Sequence, residues 1–241
     1  MSKSVPWRRS WRAGLAALCG ALALTAVAQA KSQAGTWNLA NEFTLTKQNP
    51  APDKYGHKAV WFYTYGEAGQ LGKYKKLKYS FGPAEQKAAC GVSDYYGWNK
   101  TDAVNGTPAI WYNAGPLVEE GHNSCAPFTT SPAQTVFMHP EAFGKDLDAV
   151  VGWRSPIKGA VTVSGSIQPV DRFVTGIAWQ LDQGSTILAG PGEVFEDATT
   201  SFGPLEVPVA KGQYLYLEVG RPPTVSGAYD STAVTLTITS P

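Results

Sequence analysis

The chain has 241 residues, 43% hydrophobic and 16% charged, with a formal net charge of +1. That hydrophobicity excludes the disordered class, and so even a charge balance excludes the concentrated basic face that nucleic acid requires. The length suits one large β-domain better than two small domains short of core.

Lys3, Arg8, Arg9 and Arg12 precede an apolar run over 13–27 that ends in Ala28-Gln29-Ala30. A basic start, a short apolar centre and an A-x-A site are the pattern of a secretory signal peptide, so residues 1–30 are expected to be a leader and 31–241 a single domain. The run is shorter than the roughly 20 residues that span a bilayer. No membrane insertion is expected after cleavage, and the mature protein is expected in the periplasm or secreted. Arg8-Arg9-Ser10-Trp11 faintly resembles a twin-arginine signal, while Leu18 before Cys19 does not suit a lipid anchor. Loss of the leader leaves 16 basic against 19 acidic residues, a net charge of −3. Nucleic acid is therefore not an expected partner.

Downstream, Trp61-Phe62-Tyr63-Thr64-Tyr65 is aromatic on both faces of an extended chain, which implies a strand covered on both sides or open to a ligand on one. Lys73, Lys75, Lys76 and Lys78 are interspersed with Tyr74, Leu77 and Tyr79. Such a run predicts an edge strand with a solvated, charge-protected side.

Cys90 and Cys125 remain once Cys19 leaves with the leader. An even pair in an oxidising compartment predicts a disulfide, with two separate buried thiols as the alternative. The bond would bracket the least regular part of the chain, 81–128. That segment carries Tyr95, Tyr96, Trp98, Asn99, Trp111, Tyr112 and Asn113, with Asp94, Asp102, Glu119, Glu120 and His122. Ring faces cover the C–H face of a pyranose while amides and carboxylates take its hydroxyls, so the cluster reads as a glycan or polysaccharide site. The competing reading buries these rings against the rest of the domain, with Ile110 and Trp111 on another strand.

The last ninety residues read as short strands over 150–153, 160–167, 174–181, 202–209, 214–219 and 233–239, punctuated by Ser155-Pro156, Lys158-Gly159, Lys211-Gly212 and Pro222-Pro223. Val161, Val163 and Ile167 alternate with Thr162, Ser164 and Ser166, and Val234, Leu236 and Ile238 alternate with threonines. This is the period of half-buried strands and predicts an all-β antiparallel sandwich. Trp153 and Trp179 fall on apolar strand faces and are expected in the core.

Enzymatic patterns are absent: there is no G-x-S-x-G elbow, H-E-x-x-H helix, phosphate-cradling loop or C-x-x-C pair. Zinc at His122 and Cys125 would lack two ligands and compete with the disulfide. Glu42 and Asp230, near the first and last expected strands, are candidates for a structural calcium ion, against an ordinary turn at Asp230-Ser231. No other cofactor is expected.

Phe43-Thr44-Leu45-Thr46, Gln48-Asn49-Pro50, the 61–66 stretch, Val150-Val151-Gly152-Trp153-Arg154-Ser155-Pro156, Gly212-Gln213-Tyr214-Leu215-Tyr216 and Tyr229-Asp230-Ser231-Thr232 together resemble a jelly-roll domain of exported bacterial proteins, often ones with a C-terminal sorting tail. The resemblance implies a jelly roll similar in architecture to carbohydrate-binding modules. No anchoring tail follows the last strand, and Cys90 and Cys125 enlarge the middle loop, so a tethered role is not implied. Three functions stay open: a non-catalytic glycan-binding protein, a structural or protein-interaction module of the cell envelope, and a polysaccharide hydrolase or lyase.

Overall fold

The computed structural model describes residues 34–43, 48–103, 105–196, 198–223, 225 and 228–241. The expected leader and the 44–46 part of the jelly-roll motif lie outside them. The elements in chain order are β1 (Gly35–Asn38), α1 (Leu39–Glu42), β2 (Trp61–Glu67), β3 (Lys75–Lys76), β4 (Tyr79–Phe81), α2 (Pro83–Cys90), β5 (Tyr95–Asn99) and β6 (Ala109–Asn113). They continue with β7 (Thr135–His139), β8 (Leu147–Arg154), β9 (Gly159–Pro169), β10 (Ile177–Gln183), β11 (Thr186–Val194), β12 (Thr200–Val209), β13 (Tyr214–Gly220) and β14 (Thr232–Ser240). No described helix is long and apolar enough to cross a membrane.

The domain is an antiparallel β-sandwich. One sheet runs β12-β9-β14-β7-β6-β5-β4, with β1 also pairing β14, and the other runs β11-β10-β13-β8-β2-β3. Alternation explains the core between them. Val161, Val163 and Ile167 of β9 and Val234, Leu236 and Ile238 of β14 meet Trp179, Leu181, Leu215, Leu217, Val151 and Trp153 from the facing sheet. Burial of this apolar surface, worth roughly 25 cal/mol per Å², drives the association of the sheets. Trp61 pairs across the ladder with Trp153, and Trp37 meets Trp153 edge-on at 5.3 Å. Two indoles donate to carboxylates, Trp61 to Glu42 at 2.9 Å and Trp37 to Asp53 at 2.7 Å, which satisfies polar groups placed inside an apolar centre.

Lys75 and Lys76 form the short, exposed edge strand that their charge implies. The 61–65 aromatics split by face: Trp61 and Tyr63 enter the core with Tyr65 packed against it, whereas Phe62 meets Tyr214 on the outer side at 5.1 Å. The expected strand over 174–181 begins at Ile177, and β11 has no counterpart in the sequence reading. Its Gly190-Pro191-Gly192 looks like a turn. Gly192 sits against Trp179, where an added Cβ would fall 2.7 Å from the indole nitrogen, so the small residue is required by a packed ring.

The two halves of the larger sheet differ on their outer side. On β9 and β14 that side is Thr162, Ser164, Ser166, Thr235 and Thr237, exposed or partly so, with the Ser166 and Thr235 hydroxyls 2.8 Å apart. On β5 every residue is buried. The cover there comes from α2 and from the chain around Cys125, joined by the Cys90–Cys125 disulfide with Cα atoms 5.0 Å apart. The bracketed segment is thus only partly loop, since it holds β5 and β6. Phe81, Cys90, Val92 and Tyr95 form a second small core under this cover.

Candidate functional site

Strand alternation sorts the sequence-predicted binding residues into two groups. Tyr96, Trp98 and Tyr112 point into the sandwich and belong to its core. The Tyr96 hydroxyl donates to the Phe43 carbonyl, and Tyr112 to the side chain of Gln134. Asn113, fully buried, is a loop staple: its amide donates to the carbonyls of Pro116, Ser131 and Pro132 while its oxygen accepts from the Gly115 N–H. These four are corrected from ligand-binding to structural, because even-numbered positions on β5 and β6 face the opposite sheet and Asn113 is consumed by backbone groups.

Tyr95, Asn99 and Trp111 face the other way, and all three line a pocket of about 290 Å³ on the outer side of the larger sheet. Gly97 makes the arrangement: it lies opposite Trp111 in the ladder, and a Cβ there would fall 2.3 Å from the Ile110 carbonyl oxygen and 2.6 Å from the Trp111 backbone. Trp111 stacks on Phe137 of the next strand at 5.4 Å. The floor is therefore a row of side chains fixed by strand register.

Four loops complete the walls. Asn105 and Thr107 come from the β5–β6 connection, Asn123 and Phe128 from the chain before and after Cys125, Phe143 from the β7–β8 connection, and Tyr229 from the β13–β14 connection. Phe143 is 76% exposed and Tyr229 45%, so the rim carries open ring faces. Tyr229 holds φ at +66°, an unusual left-handed conformation for an aromatic residue, which costs of order 1 to 3 kcal/mol and is retained where it places a side chain.

His139 and Asp171 also line the pocket. His139 Nδ1 lies 2.7 Å from the Pro140 carbonyl and donates to it, which leaves Nε2 as the acceptor; burial pushes the imidazole below its ordinary range, favouring this neutral form. Asp171 accepts from the Thr129 hydroxyl and from the Ser231 N–H at 2.6 Å, tying three loops together. Replacing it by Ala is expected to weaken the fold by about 1 to 3 kcal/mol, since the buried Ser231 N–H and the Thr129 hydroxyl both lose their acceptor. A urea titration reads this directly, and an unchanged midpoint would show the loops to be held by other contacts.

Among the described lining residues Asp171 is the sole carboxylate, so the two-carboxylate arrangement of glycoside hydrolysis is not assembled in the pocket. His122, Glu119 and Glu120 lie on exposed chain outside it. The two calcium candidates share no partner. Glu42 accepts from Trp61 and faces Lys54, whereas Asp230 lies near Asp171 and Arg221. No group of three or more His, Cys, Asp or Glu among the described residues is placed to hold a metal ion.

Phe128, Phe143, Tyr229, His139 and Asp171 escaped the sequence reading. For the three aromatics the signal is a single ring in a turn, as in Pro127-Phe128-Thr129 and Ala142-Phe143-Gly144, where no alternating run can bury it; His139 and Asp171 carry no such signal.

No known family model matches the chain, and no curated protein does. Among solved structures, partial likeness is found to the module CBM51 of Clostridium perfringens GH95 in complex with methyl-galactose, at 12% identity and TM-score 0.35, over 54% of this chain and 87% of that one. A second is CBM51-2 with GlcNAc and INT domains of Clostridium perfringens ZmpB, at 11% identity and TM-score 0.34, over 59% of this chain and 36% of that one. A third is the secreted serine protease VesC of Vibrio cholerae, at 11% identity and TM-score 0.26, over 52% and 22%. At such values these structures assign neither family nor ligand to the chain.

Proposed function

We propose that the chain is an exported, non-catalytic carbohydrate-binding protein that captures a sugar unit in the pocket on the outer side of its larger sheet. The observation that carries this reading is the lining itself. Phe143 and Tyr229 offer exposed ring faces beside the half-buried Trp111, with Tyr95 beneath, while the exposed Asn105 and the largely buried Asn99 and Asn123 add amides to the walls. Rings that cover C–H faces combined with groups that both donate and accept match the two-sided chemistry of a pyranose. A single carboxylate already bonded to Thr129 and Ser231 supports binding rather than hydrolysis.

The test is a glycan array probed with the mature protein and with Phe143→Ala. Phe143 is exposed enough that its removal leaves the fold intact. The native protein is expected to retain at least one glycan class, and the variant to bind it about tenfold more weakly, the equivalent of ~1.4 kcal/mol for one lost ring face. Retention of no glycan at high protein concentration would sink the reading.

A further inference from the structure

The pocket has a neighbour. Phe128 and Asp171 line both it and a second hollow of about 360 Å³, whose other walls include Glu120, Thr130, Gln168, Arg172 and Glu196. At the junction three rings meet edge to face, Phe128 with Phe173 at 4.9 Å, Phe128 with Tyr229 at 5.7 Å and Phe173 with Tyr229 at 5.9 Å. Phe173 is 48% exposed.

These rings come from three loops that the sequence keeps far apart. Asp171 joins them from below: Thr129 follows Phe128, Ser231 lies two residues past Tyr229, and Phe173 lies two past Asp171 itself. Backbone bonds reinforce the joint, with the Arg172 N–H donating to the Phe128 carbonyl at 2.8 Å and the Val170 N–H to that of Ser231 at 2.9 Å. A buried carboxylate is costly unless its bonds are made. Here it fixes an exposed apolar ridge between the ring-lined pocket and a more polar second hollow, an arrangement that contributes nothing to the sandwich core.

We infer that the second hollow is a further subsite for the same ligand, which is an oligosaccharide whose chain crosses the three-ring ridge. The inference rests on the proposed sugar pocket. The second unit is a neutral or amino sugar rather than a uronic acid, because Glu120, Asp171 and Glu196 set three carboxylates against one guanidinium, and Arg172 already pairs with Glu120 at 3.1 Å. Hydroxyls have partners in Thr130 and Gln168.

The experiment measures affinity for immobilised glucose, N-acetylglucosamine, mannose and xylose oligomers of one to four units on a common linker. For the class that binds, affinity is expected to rise at least tenfold from one unit to three. Phe173→Ala and Arg172→Ala should reduce that gain to less than threefold, whereas Phe143→Ala in the first pocket should lower every length by a similar factor. Affinity that does not depend on length overturns the second subsite and leaves the pocket standing. A length gain untouched by either ridge variant also overturns it, and binding to no oligomer overturns both.

Discussion

Replacing Cys90 and Cys125 together by serine is expected to lower the unfolding free energy by about 3 to 4 kcal/mol and to remove ligand capture. The two positions are 35 apart in sequence, and releasing a loop of that length returns conformational entropy to the unfolded chain. The loss of binding follows from what the bond holds. Residues after Cys125 supply Phe128, Thr129 and Ser131 to the pocket wall, and α2 on the other side supplies Gln86. Without the bond, the wall retains the Ser124 N–H to Cys90 carbonyl contact, the Val118–Ser131 bridge and the Asn113 staple. The Asp171 bonds still hold Phe128 beside Tyr229, so what loosens is the wall nearer the disulfide, Gln86 with Asn123, Ala126 and Pro127.

The sandwich itself should survive, since its core residues form a cluster distinct from the small one around Cys90. The expected picture is a domain that still unfolds cooperatively at lower denaturant, is nicked by protease between 114 and 131, and loses glycan affinity by more than tenfold. Dithiothreitol should reproduce all three changes in the native chain. A serine variant with native melting and native affinity would show the cover to be held by its hydrogen bonds alone.

Legibility in the sequence followed alternation. β9 and β14 could be read residue by residue, because one face is core and the other is water, and the two-residue period survives in Val161 to Ile167 and Val234 to Ile238. β5 could not. Both of its faces are buried, so Tyr95, Tyr96 and Trp98 show no period, and a strand dressed on both sides looks like an aromatic loop. The disulfide was legible from parity and compartment. Its partner in building the site, Asp171, was not, because a carboxylate that joins three loops reveals itself only when the fold brings Thr129 and Ser231 to it. In the sequence the candidate residues of the bracketed segment read as a loop, and they fall on both faces of what are β5 and β6, where only one face lines the pocket. The rim rings were missed for a related reason. Phe143 and Tyr229 lie in turns, where the pattern has no core face to point to.

The opposite side of the molecule yields the second large expectation: the domain should become less stable as pH rises from about 4 to about 8. On the outer face of the smaller sheet, the Tyr74 hydroxyl lies 2.7 Å from Asp182 and 2.5 Å from Glu218, both buried. A phenol has one hydrogen and can donate to one carboxylate only, so the other contact needs a proton on the carboxyl side. Burial, and a hydrogen bond shared with Glu218, push Asp182 well above the ordinary carboxylate range. Asp148 on the neighbouring strand is raised to about 7, mainly by burial and then by Glu218 and Asp146, with Arg221 opposing. In the unfolded chain these groups ionise near pH 4. Between that pH and their folded values the native state holds more protons, and each upward step in pH favours unfolding. A tenfold difference in proton affinity between the folded and unfolded chain is worth about 1.4 kcal/mol for each group; softened by water entry, the loss should be about 3 to 5 kcal/mol across the window. Asp182→Asn keeps a partner for Tyr74 and for Glu218 while removing the titration. Its urea midpoint should therefore decline less steeply with pH than that of the native chain and exceed it at pH 8. The residual slope belongs to Asp148, to Asp230, itself raised to about 7 by burial and by Asp171, and to Glu42, raised by burial, and is opposed by the buried neutral His139. Parallel curves for the two proteins would mean that Asp182 is ionised throughout, and that Tyr74 bridges two charges rather than a carboxyl and a carboxylate.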